Sequence, residues 1–168
     1  MENISKAIFM AVLASRRKVM LVVGFGSIFL LGIGYFLEYV VGLTPCALCI
    51  IQRGFFLGVG VVALIGAWHN RFLERYASVM FVLALLGGAV AVRNVYIQLV
   101  PQGLGTKCLP LLESFMDAVT VLFQATGDCS ERNWTLMGLS IPEWSLIFFI
   151  CLVGISAWLF REKQKEIE

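Results

Sequence analysis

Residues 44–68 read TPCALCIIQRGFFLGVGVVALIGAW. No charged residue occurs between Gly54 and Trp68. With the turns from Cys49 to Arg53 ahead of it, the stretch is long enough to cross a bilayer core, which takes about 20 helical residues. Its first turns carry groups that packing in lipid does not require: two sulfurs, Cys46 and Cys49, and one cation, Arg53. Thr44-Pro45 reads as the N-cap and first residue of this helix.

Three further runs flank it. Val19–Leu37, Tyr76–Val92 and Trp144–Phe160 also lack charge. The first fits a retained span better than a cleavable leader, which has a shorter apolar region and a small-residue cleavage site. Composition agrees: the chain of 168 residues is 60% hydrophobic and 14% charged, against about 25% charged in soluble domains. Backbone polar groups in lipid must be satisfied within the segment, which favours helices. The expected fold is all-α, a four-helix membrane bundle forming one domain over residues 1–168, with spans at about 19–37, 50–68, 76–92 and 144–160. Gly54-x-x-x-Gly58 and Ala84-x-x-x-Gly88 are the expected points of close helix approach. Ser140-x-x-Glu143 has capping-box spacing ahead of the fourth span. No basic nucleic-acid patch and no glycine-rich phosphate loop is present.

Charge sets the orientation. Lys6, Arg16, Arg17, Lys18, Arg71, Arg75, Arg161, Lys163 and Lys165 fall on one side; Arg53, Arg93, Lys107 and Arg132 fall on the other. The basic side is cytoplasmic. Both termini are then inside, and the Cys46/Cys49 turn and a loop at about 93–143 are outside. Trp68, Tyr76, Trp144 and Trp158 lie near run ends, where an aromatic belt belongs. Within the loop, Leu111, Leu112, Phe115, Met116, Val119, Leu122 and Phe123 recur at helical spacing. They predict a short amphipathic helix, lying on the outer membrane surface or packed on the loop.

Of five cysteines, Cys46, Cys49, Cys108 and Cys129 fall outside, and Cys151 lies mid-way along the fourth span as expected inert packing. Four cysteines allow three pairings; the simplest is Cys46–Cys49 with Cys108–Cys129. The second pair alone reads as a staple. The first closes too small a loop to stabilise much, whereas a C-x-x-C at a helix N-terminus, one turn from an arginine, favours a reactive thiolate. A zinc site is disfavoured, because one knuckle and two singletons do not match a ribbon, so no metal is expected. Arg53 near a span end could snorkel, but an ionisable residue at membrane depth is first a functional candidate. Glu38 is its possible partner or an interface marker, and His69 reads as solvated. Two outer dithiols suggest a relay by thiolate attack through mixed disulfides. With no haem, flavin or iron–sulfur signature, elimination leaves a lipid-soluble quinone as acceptor. The alternative is a disulfide-stapled membrane scaffold or metal-handling protein without redox turnover.

Pro45-Cys46-x-x-Cys49-Ile50-x-x-Arg53, the four spans, and Gly127-Asp128-Cys129-Ser130-Glu131-Arg132-x-Trp134 together resemble the bacterial DsbB family of membrane thiol oxidases, over nearly the whole chain. The resemblance implies an inner-membrane oxidoreductase that reoxidises a periplasmic DsbA-like thiol oxidase and passes the electrons to the membrane quinone pool, ubiquinone or menaquinone. It implies that Cys108 and Cys129 form the loop pair, with Cys108 making the mixed disulfide with DsbA. It also implies that Cys46 and Cys49 are the pair beside the quinone, that Cys49 contacts the ring, and that Arg53 supports both quinone and thiolate.

Overall fold

The computed structural model describes residues 16–69, 72–99 and 134–167, with side chains as far as Phe160. Cys108, Cys129 and the expected amphipathic helix lie outside the described residues. Among the described residues four helices follow one another: α1 Arg16–Tyr39, α2 Ala47–His69, α3 Leu73–Leu99 and α4 Ile141–Ile167. All four are long and apolar enough to cross a membrane. The chain is thus an all-α, multi-pass membrane four-helix bundle, as its apolar runs predict. Packing runs α1 on α2, α2 on α3 and α3 on α4.

The buried seam sets small and medium residues, Val59 and Ala63 of α2 and Ala77, Met80, Ala84 and Ala91 of α3, around the large ring of Phe149 of α4. Large apolar side chains such as Phe25, Phe29, Leu57, Val82 and Ile150 face outward. So much exposed apolar surface suits lipid and would be a liability in water. Cys151 lies on this outer face, not buried as a mid-span cysteine was expected to be.

The glycine pairs predict the close approaches in part: Cβ atoms at Gly58 and Gly88 would meet Leu83 at 3.4 Å and Phe149 at 3.6 Å, but the tightest contacts lie elsewhere. A Cβ on Gly54 would meet nothing within 4 Å. The tight contact is Gly24 of α1 against Gly60 of α2: a Cβ at Gly24 would come within 2.6 Å of the Leu64 side chain and 3.3 Å of the Gly60 carbonyl. At Gly87 of α3 a Cβ would overlap the Phe149 ring, and that ring stacks on Phe56 of α2 at 4.2 Å between centroids.

Helix ends also depart from the sequence reading. α3 continues past Val92 through Arg93 to Leu99, because Arg93 sits on an exposed face while the helical ladder continues beneath it. The outer connection therefore begins later than residue 93. It also ends earlier than residue 143, in a hairpin of β1 Thr135–Leu136 and β2 Leu139–Ser140, with Thr135 paired to Ser140. Its turn residues Met137 and Gly138 both have positive φ, 54° and 82°, as a two-residue type I′ turn requires. The capping box forms in part: the Ser140 N–H donates to Glu143 at 2.6 Å, while the Ser140 hydroxyl donates to Gln98 of α3 at 2.8 Å. Trp144 Nε1 donates to the Leu136 carbonyl at 3.1 Å. The hairpin is thereby fixed to α4, and the start of α4 to the end of α3.

Candidate functional site

α1 ends in a turn where the Leu43 N–H reaches the Leu37 carbonyl at 3.1 Å and Gly42 adopts φ 78°, a region that favours glycine. The chain then reaches the start of α2. The N-cap there is Cys46, two residues later than Thr44, because the helix begins at Ala47. The Cys46 carbonyl accepts from the Ile50 N–H at 3.2 Å, and its Sγ accepts from the Cys49 N–H at 3.3 Å. A sulfur thus takes the position usually held by a Ser, Thr, Asp or Asn oxygen.

The two sulfurs are 2.7 Å apart. A small movement separates this from the ~2.05 Å of a disulfide. Cys46 is buried and Cys49 partly so. The hydrogen bond with Cys49, followed by burial, pushes the Cys46 thiol above its ordinary range. A third side chain joins them from α3. Asn94 is fully buried, and its Nδ2 donates to Cys49 Sγ at 3.5 Å and to Cys46 Sγ at 3.7 Å.

Arg53 lies one turn beyond Cys49 on α2. Its guanidinium is held by α1: it pairs with the Glu38 carboxylate, donates to the Gly34 carbonyl at 3.0 Å, and lies 5.0 Å over the Tyr35 ring centre. An ion pair, a backbone acceptor and a cation–π contact satisfy a charge that lipid would not. Of the two sequence readings for Glu38, the structure selects the partner. His69 is exposed as expected but not only solvated: it shares a 2.7 Å hydrogen bond with the Tyr76 hydroxyl.

Gly34, Glu38, Cys46, Cys49 and Arg53 line one cavity of about 340 Å³, within the size range of small-molecule sites. Leu30, Leu31, Ile33 and Leu37 of α1, Phe56 of α2 and Phe148 of α4 supply apolar walls. Cys46, Cys49, Gln52 and Arg53 stand along the α2 wall, and Trp134 and Leu136 contribute from the hairpin. Gln52 is buried, and its Nε2 has no hydrogen-bond partner among the described residues. The structure brings Cys46, Cys49 and Arg53 together, as their spacing predicts. Sequence reasoning missed Asn94 and Gln52. Their signal was available: Asn94 extends the inward stripe Ala77, Met80, Ala84, Gly87, Ala91, and Gln52 lies one turn before buried Phe56.

Comparison with known proteins agrees with this architecture. The family model described as disulfide bond formation protein DsbB matches residues 16–159. Disulfide bond formation protein B 1 of Pseudomonas aeruginosa is 40% identical over 160 residues, covering 90% of this chain and 98% of that protein. Disulfide bond formation protein B of Stutzerimonas stutzeri is 37% identical, covering 87% and 95%. That of Aromatoleum aromaticum is 42% identical, covering 81% and 86%. With matches over most of its length, spanning all four helices and the cysteine-lined cavity, this chain belongs to the DsbB family of membrane disulfide bond formation proteins.

Proposed function

We propose that this protein resides in the bacterial inner membrane with both termini cytoplasmic. It reoxidises a periplasmic DsbA-like dithiol and delivers the electrons to a membrane quinone. The observation that carries the reading is the placement of two sulfurs in hydrogen-bond contact on the wall of an apolar cavity that also holds a cation and a free amide donor. This donor set fits a flat, carbonyl-bearing acceptor.

The loop pair Cys108/Cys129 takes two electrons and two protons from the partner dithiol, with Cys108 forming the mixed disulfide. The resulting loop thiolate attacks the Cys46–Cys49 disulfide at Cys46, which is next to the turn from α1. Cys49 leaves as the thiolate, on the same helical face as Arg53. The second loop thiol then displaces Cys46, which re-forms the Cys108–Cys129 disulfide and leaves Cys46 and Cys49 as a dithiol. A bound quinone would supply the acceptor for the two electrons and two protons released as that pair closes again. Arg53 and Gln52 would hold its carbonyl oxygens, and the leucines of α1 its apolar body. Trp134, five residues after Cys129 in the sequence, lines the same cavity.

The test is turnover of purified protein in micelles, with reduced DsbA-like partner and ubiquinone, followed by quinone absorbance. The unsubstituted chain is expected to consume one quinone per partner disulfide formed. Cys46→Ala, Cys49→Ala, Cys108→Ala and Cys129→Ala are each expected to abolish it. Full turnover by Cys46→Ala would sink the relay.

A further inference from the structure

The two sulfurs are contacted by one side chain that is remote in sequence. Asn94 comes from α3, at separations of 48 and 45 residues from Cys46 and Cys49. It is fully buried, and both of its sulfur contacts come from the one amide nitrogen. That nitrogen carries two hydrogens, one for each sulfur. Among the described residues its Oδ1 has no partner. A buried amide leaving its oxygen unpaired gives up hydrogen bonding, so the sulfur contacts are what this position retains. The inward stripe of α3 that it extends is built of Ala84, Gly87 and Ala91; packing alone would be served by another small residue.

We propose that Asn94 clamps the Cys46/Cys49 pair and, by donating to sulfur, favours its dithiol form over its disulfide, making the pair a stronger oxidant. The proposal rests on the redox role given to that pair above. The physical reason is a difference between states. Thiol and thiolate sulfurs accept N–H hydrogen bonds, and a thiolate accepts the stronger, charge-assisted one. Disulfide sulfurs are poorer acceptors. A donor fixed over both sulfurs therefore stabilises the reduced pair more than the oxidised one. The exchange balances as dithiol plus oxidised dithiothreitol giving protein disulfide plus reduced dithiothreitol: one S–S bond forms, one breaks, and two electrons and two protons move.

The experiment uses the full chain in lipid-stripped micelles, without oxygen, with Cys108 and Cys129 replaced by alanine so that one pair titrates. The fraction oxidised is read by thiol alkylation across dithiothreitol buffers. Asn94→Leu, of similar shape without the donor, is expected to shift the equilibrium constant toward the disulfide about tenfold, the scale of a hydrogen bond to a charged group. Asn94→Gln, which keeps the amide, is expected to recover most of that shift. A leucine variant within twofold of its parent overturns the inference while the parent's cycling leaves the redox role standing. A parent pair that never closes overturns the redox role, and this inference with it. Should Asn94→Leu fail to fold, the unsubstituted protein decides: its Asn94 side-chain ¹⁵N–H₂ resonance must move between the dithiol and disulfide forms, and a resonance that stays put refutes the clamp.

Discussion

Arg53 carries a full charge into the wall of a largely apolar cavity, and every contact shown for it comes from α1. Its fork reaches the Glu38 carboxylate and the Gly34 carbonyl together, which a lysine ammonium at the same site cannot do in the same way. Arg53→Leu removes the charge and is expected to raise the KM for quinone about tenfold or more, the scale of one charge-assisted hydrogen bond. Arg53→Lys should fall between the two, in steady-state assays across quinone concentrations. Glu38→Ala tests how much the ion pair contributes to holding the arginine. With both side chains about one-fifth exposed, the loss is expected to be modest, about 1 kcal/mol, seen as a lower thermal midpoint. Gly34 belongs to the same arrangement, because a Cβ there would press on Arg53 Nε at 3.3 Å.

At the scale of the helix, existence was legible in the sequence and boundaries were not. Four long apolar runs, the second carrying Arg53 in its first turns, leave little alternative to four spans. A run drawn by charge alone, however, ends at the first charged residue. Arg93 ended the third run while the helix went on, and Asn94 was lost with it. The repeating inward stripe from Ala77 to Ala91 is a better guide there, because it tracks packing, which continues past an outward-facing arginine. Thr44 misled for a related reason: the preferred capping residue was present, but a sulfur two positions later took the cap. Gly54 misled because spacing cannot say which face a neighbour occupies, so Gly24 and Gly60 make the approach that Gly54 does not, while Gly58 and Gly88 do face a neighbour. Gly60→Leu should force α1 off α2 and lower stability by about 1–3 kcal/mol, the usual cost of overpacking. Because the sulfurs stand at the start of α2 and are contacted by Asn94 of α3, while Arg53 is held by α1, the same variant is expected to impair the proposed quinone reduction more than it shifts the dithiothreitol equilibrium of Cys46/Cys49. Equal effects on both would argue against this division of the site.

Across the whole molecule, the helices alternate in direction, so the cavity end gathers the α1–α2 turn, the end of α3, the hairpin and the start of α4. The opposite end holds the starts of α1 and α3 and the end of α2. Nine of the chain's thirteen Lys and Arg residues belong to that opposite side by the sequence count, and the proposed cytoplasmic orientation rests on that excess. Two exposed residues report the two ends: Met137 at the hairpin tip, 88% exposed, and Trp68 near the end of α2, 87% exposed. In a chain with all five cysteines replaced by alanine, Met137→Cys is expected to react with a membrane-impermeant maleimide in intact spheroplasts. Trp68→Cys is expected to react only after the membrane is opened. The reverse pattern would remove more than a topology. It would place Cys46 and Cys49 against the reducing cytoplasm, where thiols are kept reduced. A pair at that face could not hand an oxidising equivalent to a secreted partner, however well its cavity accepted a quinone.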